Sequence, residues 1–261
     1  MSDSTSPLSL IPGVLALCDT ASAAILEVYR SDDFGADLKG DNSPVTKADI
    51  EASNILVAGL EALSGFPVVS EEALVSYEKR KHFERFWLVD PLDGTKDFLE
   101  RDDEFTVNVA LIEKGIPILG AVASPALGSV YYAVKGKGAF RRDASGTSSI
   151  RYSKTRASLI CADSRFHSSD QIEEFCRVNA ISEILRSGSA IKMCKLAEGS
   201  VDVYPRFGPT MEWDVAASDI LATEAGCMIV DLIERKPLRY NKEDMRNPGF
   251  IAYPKGVSFK W

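Results

Sequence analysis

The stretch that most constrains this chain is Phe86 to Phe98, FWLVDPLDGTKDF. Its first four residues, Phe86, Trp87, Leu88 and Val89, read as a buried strand, because the run is continuously apolar, rich in aromatic and branched side chains, and cut short by Pro91. Asp90 therefore arrives at a strand end. Pro91 and Gly94 predict a tight turn that brings Asp93 and the Thr95 hydroxyl back beside Asp90. An isolated D-G-T is more often a simple bend, since Asp and Gly are common turn formers. Here the surroundings add more acids. Pro67-Val68-Val69-Ser70 reads as a short strand ending in Glu71-Glu72, and Trp213-Asp214 opens a helical stretch. If these ends converge, Glu71, Glu72, Asp90, Asp93 and Asp214 crowd into one place, and cations must neutralise them or protons relieve them. Cations are the expectation.

Composition removes several classes of function. With 261 residues the chain forms one large domain or two small ones, and 45% hydrophobic residues supply an ample core. A net charge of -8 argues against a general nucleic-acid binder, which needs basic surface to displace counterions from phosphates. Cys18, Cys161, Cys176, Cys194 and Cys227 are odd in number and lack C-x-x-C spacing, as expected of reduced thiols in a cytoplasmic protein. The start, MSDSTSPLSL, has neither the basic head nor the long apolar segment of a secretory signal, and no uninterrupted run of eighteen apolar residues occurs, so no membrane insertion is expected. No repeat of 20 to 50 residues and no low-complexity tract is present.

The remaining pattern divides the chain in two. From Leu8 to Tyr29 the apolar residues fall on one helical stripe, and KADIEASNILVAGLEAL, after Thr46, predicts a second helix with Asp49 in its first turn. There a carboxylate also has the ordinary task of opposing the helix dipole. FTVNVALI, IPILGAVA and SVYYAV predict successive strands of an antiparallel meander. From about Ala157 short strands alternate with helical patterns: strands at Leu159 to Ala162, Ile181 to Leu185, Val201 to Tyr204, Met228 to Val230 and Phe250 to Tyr253, and helices near Asp170 to Val178, Ser189 to Ala197 and Trp213 to Ala225. The expectation is an α+β half over residues 1–155 and an α/β half over 156–261, with the acids drawn from both.

These residues carry a resemblance. Val89-Asp90-Pro91-Leu92-Asp93-Gly94-Thr95, Ser70-Glu71-Glu72 and Glu212-Trp213-Asp214-Val215-Ala216-Ala217 resemble the signatures of the lithium-sensitive, magnesium-dependent phosphatase superfamily typified by inositol monophosphatase. Asp41-Asn42-Ser43-Pro44-Val45-Thr46, Ser164-Arg165-Phe166-His167 and Tyr204-Pro205-Arg206-Phe207-Gly208-Pro209-Thr210 are most similar to its bacterial 3′(2′),5′-bisphosphate nucleotidases. The resemblance runs from the first helix to Asn247-Pro248-Gly249-Phe250 and implies a layered α-β-α-β-α sandwich with metals at the junction of its halves.

Carboxylates and a backbone carbonyl are hard oxygen ligands that suit Mg²⁺ or Mn²⁺ and disfavour zinc. The family pattern implies that Glu71, Asp90 and the Leu92 carbonyl hold one ion and Asp90, Asp93 and Asp214 a second, with a weaker third on Glu71. It also implies that Thr95 and Asp49 form the pair orienting the attacking water, with Glu72 helping from a second rank. Glu71 ranks above Glu72, because neighbouring strand side chains point to opposite faces. Substrate contacts are implied for Gly94, Thr95, His167, Gly188, Ser189, Lys192 and Arg206. On residue type alone, Ser189 reads as a helix N-cap, while Lys192, Arg206 and His167 read as solvated surface groups.

Other frameworks fail. No G-x-x-x-x-G-K-[ST], G-x-G-x-x-G or G-x-S-x-G occurs, and two residues separate Asp90 from Asp93 where an aspartyl nucleophile of the haloacid dehalogenase type needs one. The resemblance therefore implies a Mg²⁺-dependent phosphatase converting adenosine 3′,5′-bisphosphate to AMP and phosphate in sulfur metabolism. Its analogy extends to peripheral contact with the inner face of the cell membrane. The alternatives are an inositol or sugar monophosphatase on the same scaffold and a non-catalytic metal or nucleotide sensor.

Overall fold

The computed structural model describes residues 5–31, 33–38, 44–153, 157–166 and 168–261. Asp41, Asn42, Ser43 and His167, which belong to the motifs above, lie outside the described residues, as does the expected boundary at 155.

Helix α1 (Pro7–Tyr29) begins where Ser6 Oγ accepts from Ser9 N at 3.3 Å, with Pro7 in the first turn, where its missing N–H costs nothing. By length and composition α1 could cross a membrane, with a mean hydropathy of 1.7, a property that a search for uninterrupted apolar runs passes over. Its Leu10, Val14, Cys18, Ala21 and Ile25 are instead buried in the core with Leu56 and Leu60. Strands β1 (Asp37–Leu38) and β2 (Pro44–Val45) lead to α2 (Lys47–Ser64), capped by Thr46 and closed by Gly65 in the left-handed conformation.

A seven-stranded sheet follows in chain order: β3 (Val68–Ser70), then, after the short α3 (Tyr77–Arg80), β4 (Arg85–Asp93), then, after α4 (Thr95–Leu99), β5 (Thr106–Glu113), β6 (Ile116–Ser124), β7 (Ser129–Val134), β8 (Gly138–Asp143) and β9 (Gly146–Ile150). Only the β3–β4 pair is parallel. The alternation of side chains decides the layers. Trp87 and Val89 of β4 and Val107, Val109 and Leu111 of β5 pack toward α1 and α2, while Phe86, Leu88, Ala110 and Ile112 face the other way. The meander is thus longer than its three clearest runs. Strand β9, GTSSI, is almost wholly exposed and carries no apolar alternation by which to find it.

The second half contains β10 (Ile160–Ser164), α5 (Asp170–Val178), β11 (Glu183–Ser187), α6 (Ile191–Ala197), β12 (Tyr204–Arg206), β13 (Thr210–Met211), α7 (Glu212–Glu224), β14 (Cys227–Asp231), β15 (Arg246–Asn247) and β16 (Phe250–Pro254). Strands β10 and β11 are parallel, as an α/β reading expects, but β12, β16 and β14 are antiparallel. A bridge between Cys161 and Val203 joins the two groups. This half is therefore a mixed sheet, because β14 returns to β16 through an extended connection rather than a crossover helix. Helices α6 and α7 lie between the sheets, and Ile172, Phe175 and Cys176 of α5 cover the outer face of the second sheet. The order is α-β-α-β-α.

One contact fixes α7 closely. A Cβ on Gly120, in the middle of β6, would lie 2.4 Å from the Ala217 carbonyl oxygen and 2.6 Å from Ile220 Cγ2. Only glycine allows the helix backbone this near the sheet.

Candidate active site

The expected turn at Pro91 is a β-bulge. Pairing of β4 with β5 runs to Asp90 opposite Asn108 and resumes at Asp93 opposite Thr106, so β4 spends one residue more than its partner. Pro91 sits in the bulge, where no ladder N–H is required, and Leu92 N donates to Asp90 Oδ1 at 3.1 Å. Gly94 then adopts φ 88°, a left-handed conformation that starts α4 at Thr95.

A cavity of about 670 Å³ opens beside this bulge, and Glu71, Asp90, Leu92, Asp93 and Asp214 all line it. Gly94, Thr95, Gly188, Ser189, Lys192 and Arg206 line it as well. Glu72 does not, while Glu71 continues the β3 pairing by donating its N–H to Val89 O at 3.1 Å. Among the described residues no three acids are gathered at metal-ligand spacing; they stand around the cavity wall.

Two helix starts set two of the acids. Asp49 is the third residue of α2, and its Oδ2 accepts from Thr46 N at 2.7 Å and Thr46 Oγ1 at 2.6 Å, completing a capping box. Its Oδ1 accepts from Thr95 Oγ1 at 3.2 Å. The ordinary capping role and the pairing with Thr95 thus coexist on one side chain. Asp214 is the third residue of α7 and accepts from Met211 N at 2.8 Å. Asp93 Oδ2 accepts from Thr106 Oγ1 at 3.3 Å and Asn108 Nδ2 at 3.2 Å. These two supports were missed from the sequence, although polar residues two apart on an otherwise apolar strand were the available signal.

Burial holds the Asp90 carboxyl well above the usual range, and the charges of Glu71, Asp93, Asp214 and Asp49 push it further. Asp214 is raised in the same way, by burial and then Asp93. Asp93 is raised by burial, against the pull of Lys192 and its Asn108 hydrogen bond. Such a site favours any cation that restores the charge balance.

The opposite wall differs from the sequence reading. Ser189 is no N-cap: it has φ 39°, its Oγ donates to Glu104 O at 2.9 Å, and Ala190 precedes α6 without a side-chain cap. Lys192 is not a surface lysine either, being 5% exposed, with Nζ donating to Ser189 O at 2.7 Å and Ser187 O at 3.2 Å. Burial lowers its pKa to about 8, although Asp93 opposes the change. Arg206 is half-buried on the same wall. Glu104, also missed, ties this wall together by accepting from Gly188 N at 2.8 Å, Ser187 Oγ at 2.9 Å and Lys195 Nζ at 3.0 Å. Nothing in its local sequence, RDDEF, distinguishes it from solvated acids.

Comparison with known proteins agrees with this geometry. The sequence pattern of the inositol monophosphatase family matches residues 9–256. A 3′(2′),5′-bisphosphate nucleotidase CysQ of Salmonella typhimurium is 41% identical over 244 residues, covering 92% of this chain and 98% of that protein. The crystal structure of CysQ from Bacteroides thetaiotaomicron superposes with a TM-score of 0.86 at 36% identity, covering 95% of this chain and 98% of the other. An IMPase from Thermotoga maritima superposes with a TM-score of 0.77 at 25% identity over 93% of this chain and 91% of the other.

Proposed function

The chain belongs to the inositol monophosphatase family, and from that premise we propose that it is a metal-dependent 3′(2′),5′-bisphosphate nucleotidase that converts adenosine 3′,5′-bisphosphate to AMP and phosphate. The observation that carries this reading is the meeting of acids from three distant stretches, Glu71, Asp90 with Asp93, and Asp214, in one cavity whose other wall presents Lys192 and Arg206. A cavity acidic on one side and basic on the other suits a substrate with two phosphates, one to be cleaved and one to be held.

The donor set fits a hard divalent ion. All candidate ligands are oxygens, Asp90 is buried, and the raised pKa values of Asp90, Asp93 and Asp214 mark negative charge that the surrounding protein leaves undercompensated. In this proposal Glu71, Asp90, the Leu92 carbonyl, Asp93 and Asp214 hold two Mg²⁺ ions, with a weaker third on Glu71 and Mn²⁺ as a substitute. Bound there, such ions supply charge neutralisation and acidify water for in-line attack on phosphorus.

The chain's own residues do the rest. Thr95 Oγ1 has one proton, and the Asp49 carboxylate 3.2 Å away competes for it with the Leu92 carbonyl at 3.3 Å. Donating to Asp49 leaves the Leu92 oxygen free as a ligand and turns the hydroxyl lone pairs toward the cavity, where they accept a hydrogen bond from the attacking water and fix its direction. Gly94 and Thr95 amides at the start of α4 are assigned to the cleaved phosphate. Ser189, Lys192 and Arg206 are assigned to the second phosphate, and His167 to the nucleotide. Glu72, off the cavity, is retained only as an indirect support for Glu71.

In this reading residues 1–155 supply most of the metal ligands, and residues 156–261 supply Asp214 and the segments that hold the second phosphate. Five free, buried cysteines support a cytoplasmic location. The test compares phosphate release from adenosine 3′,5′-bisphosphate and inositol 1-phosphate, with and without Mg²⁺. Metal-dependent release favouring the nucleotide supports the proposal. Equal or faster release from inositol phosphate replaces it with an inositol phosphatase, and no release from either replaces it with a sensor.

A further inference from the structure

Asn241 stands outside the cavity, on the connection from β14 to β15, yet it joins the two stretches that bring Glu71 and Asp214 there. One residue satisfies its side chain in both directions: Oδ1 accepts from Arg80 Nη1 at 2.9 Å and Nδ2 donates to Arg80 O at 2.9 Å. Its backbone N–H donates to Glu212 Oε2 at 2.6 Å. Arg80 is buried at the end of α3, the helix that follows Glu71 and the cavity-rim residue Leu74, and its Nη2 reaches the same connection at Glu243 O, 2.9 Å away. Glu212 is fully buried at the start of α7. Its Oε1 accepts from Lys242 N at 3.0 Å and Lys242 Nζ at 2.5 Å, and its own N–H donates to Met245 O at 2.9 Å. A buried carboxylate whose two oxygens are taken by one stretch of chain does not move without that stretch.

The same connection also reaches the Asp214 carboxylate. Lys242 Nζ donates to Asn247 Oδ1 at 3.3 Å, Asn247 Nδ2 donates to Met211 O at 2.8 Å, and Met211 N is the donor to Asp214. Two carboxylates gathered at one site repel, so their spacing must be enforced from outside it. Asn241 has φ 74°, a left-handed backbone that glycine adopts more easily. What the carboxamide adds is therefore the paired hydrogen bonding to Arg80. Resting on the metal-dependent reading above, we propose that Asn241 is a positioning residue of the metal site: it clamps the end of α3 to the start of α7 and so sets the spacing between Glu71 and Asp214. It acts through Arg80 and Glu212, and not on the ions or the reacting phosphorus.

The experiment titrates the whole protein with Mn²⁺ in the absence of substrate, following the free ion by electron paramagnetic resonance, and then measures phosphate release against Mg²⁺ concentration. Asn241→Gly removes the carboxamide and keeps the backbone. It should raise the Kd for Mn²⁺ roughly tenfold or more, the scale for losing a partner that orients a metal ligand, while kcat at saturating Mg²⁺ stays within about threefold of wild type. Asn241→Asp keeps an acceptor for Arg80 and should weaken Mn²⁺ less. Arg239→Ala, an exposed neighbour on the same connection, should leave the Kd unchanged. A merely structural role would lower the melting temperature and the active fraction but leave the Kd of the folded protein as in wild type. That result in Asn241→Gly overturns the clamp, and in Asn241→Asp it does so whether or not the glycine variant folds. A wild-type protein that takes up no Mn²⁺ overturns the metal reading and the clamp with it, whereas wild-type uptake with an unaltered Kd in both variants removes the clamp alone.

Discussion

Substituting Gly120 by alanine tests how the site is held without touching any residue of it. The new Cβ would meet the Ala217 carbonyl oxygen at 2.4 Å, roughly 1 Å short of ordinary contact, and a backbone oxygen cannot rotate aside. Helix α7 must lift by about that distance or β6 must bend. Overpacking of this kind costs about 1–3 kcal/mol, which at about 2–4 °C per kcal/mol for chains near this size lowers the melting temperature by roughly 2–12 °C. Ala217 lies one turn beyond Asp214, so the displacement reaches a proposed ligand acid. A shift of about 1 Å at such a position costs on the order of 10²-fold in rate. Gly128→Ala is the control, because it has φ 63° and nothing within 4 Å of the added Cβ. It should lose about 1–2 kcal/mol to backbone strain and keep its activity. Thermal unfolding by circular dichroism and phosphate release against Mg²⁺ concentration are the readouts. A Gly120→Ala protein that melts within 1 °C of wild type and turns over at full rate would refute the claim that this contact sets α7.

Three further outcomes are expected. Asp93→Asn should reduce kcat/KM at least about 10²-fold, more than loss of a mere supporting partner, yet raise the melting temperature in chelator by removing one of the repelling charges; unchanged activity would discard Asp93 as a ligand. In chelator, stability should fall as pH rises above about 4, because Asp90, Asp93 and Asp214 hold their protons more tightly folded than unfolded, and the unfolded chain releases them first. Denaturant melts between pH 4 and 8 check the sign, and Mg²⁺ should flatten the slope. Thr95→Ala and Asp49→Asn should each lower kcat about 10²-fold or more with little change in Mg²⁺ affinity, and the double variant should lose little beyond either single; additive losses would mean that the 3.2 Å hydrogen bond is not part of one device.

Much of this was legible in the chain because it is local. The apolar run before Asp90, the capping signature at Thr46 and Asp49, and the alternation in β5 all rest on periodicities that survive without tertiary information. What was illegible depends on partners far away in the chain. Pro91 and Gly94 predict a turn, but the bulge exists only because β5 keeps pairing on both sides of it. Lys192 resembles any surface lysine until the Ser187 and Ser189 carbonyls close over it, and Ser189 looks like a cap until Glu104, 85 positions away, takes its hydroxyl. The antiparallel return of β14 to β16 likewise leaves no mark in short apolar runs.

Asp49 and Asp214 each commit one oxygen to the amide at the mouth of their own helix, and Asp49 gives its other oxygen to the Thr95 hydroxyl. Their aim is thereby decided as soon as those helices nucleate, before any ion or nucleotide arrives. Lengthening either to glutamate would detach the aim from the helix mouth, so this scaffold is far freer to change what its opposite wall recognises than how its acids point.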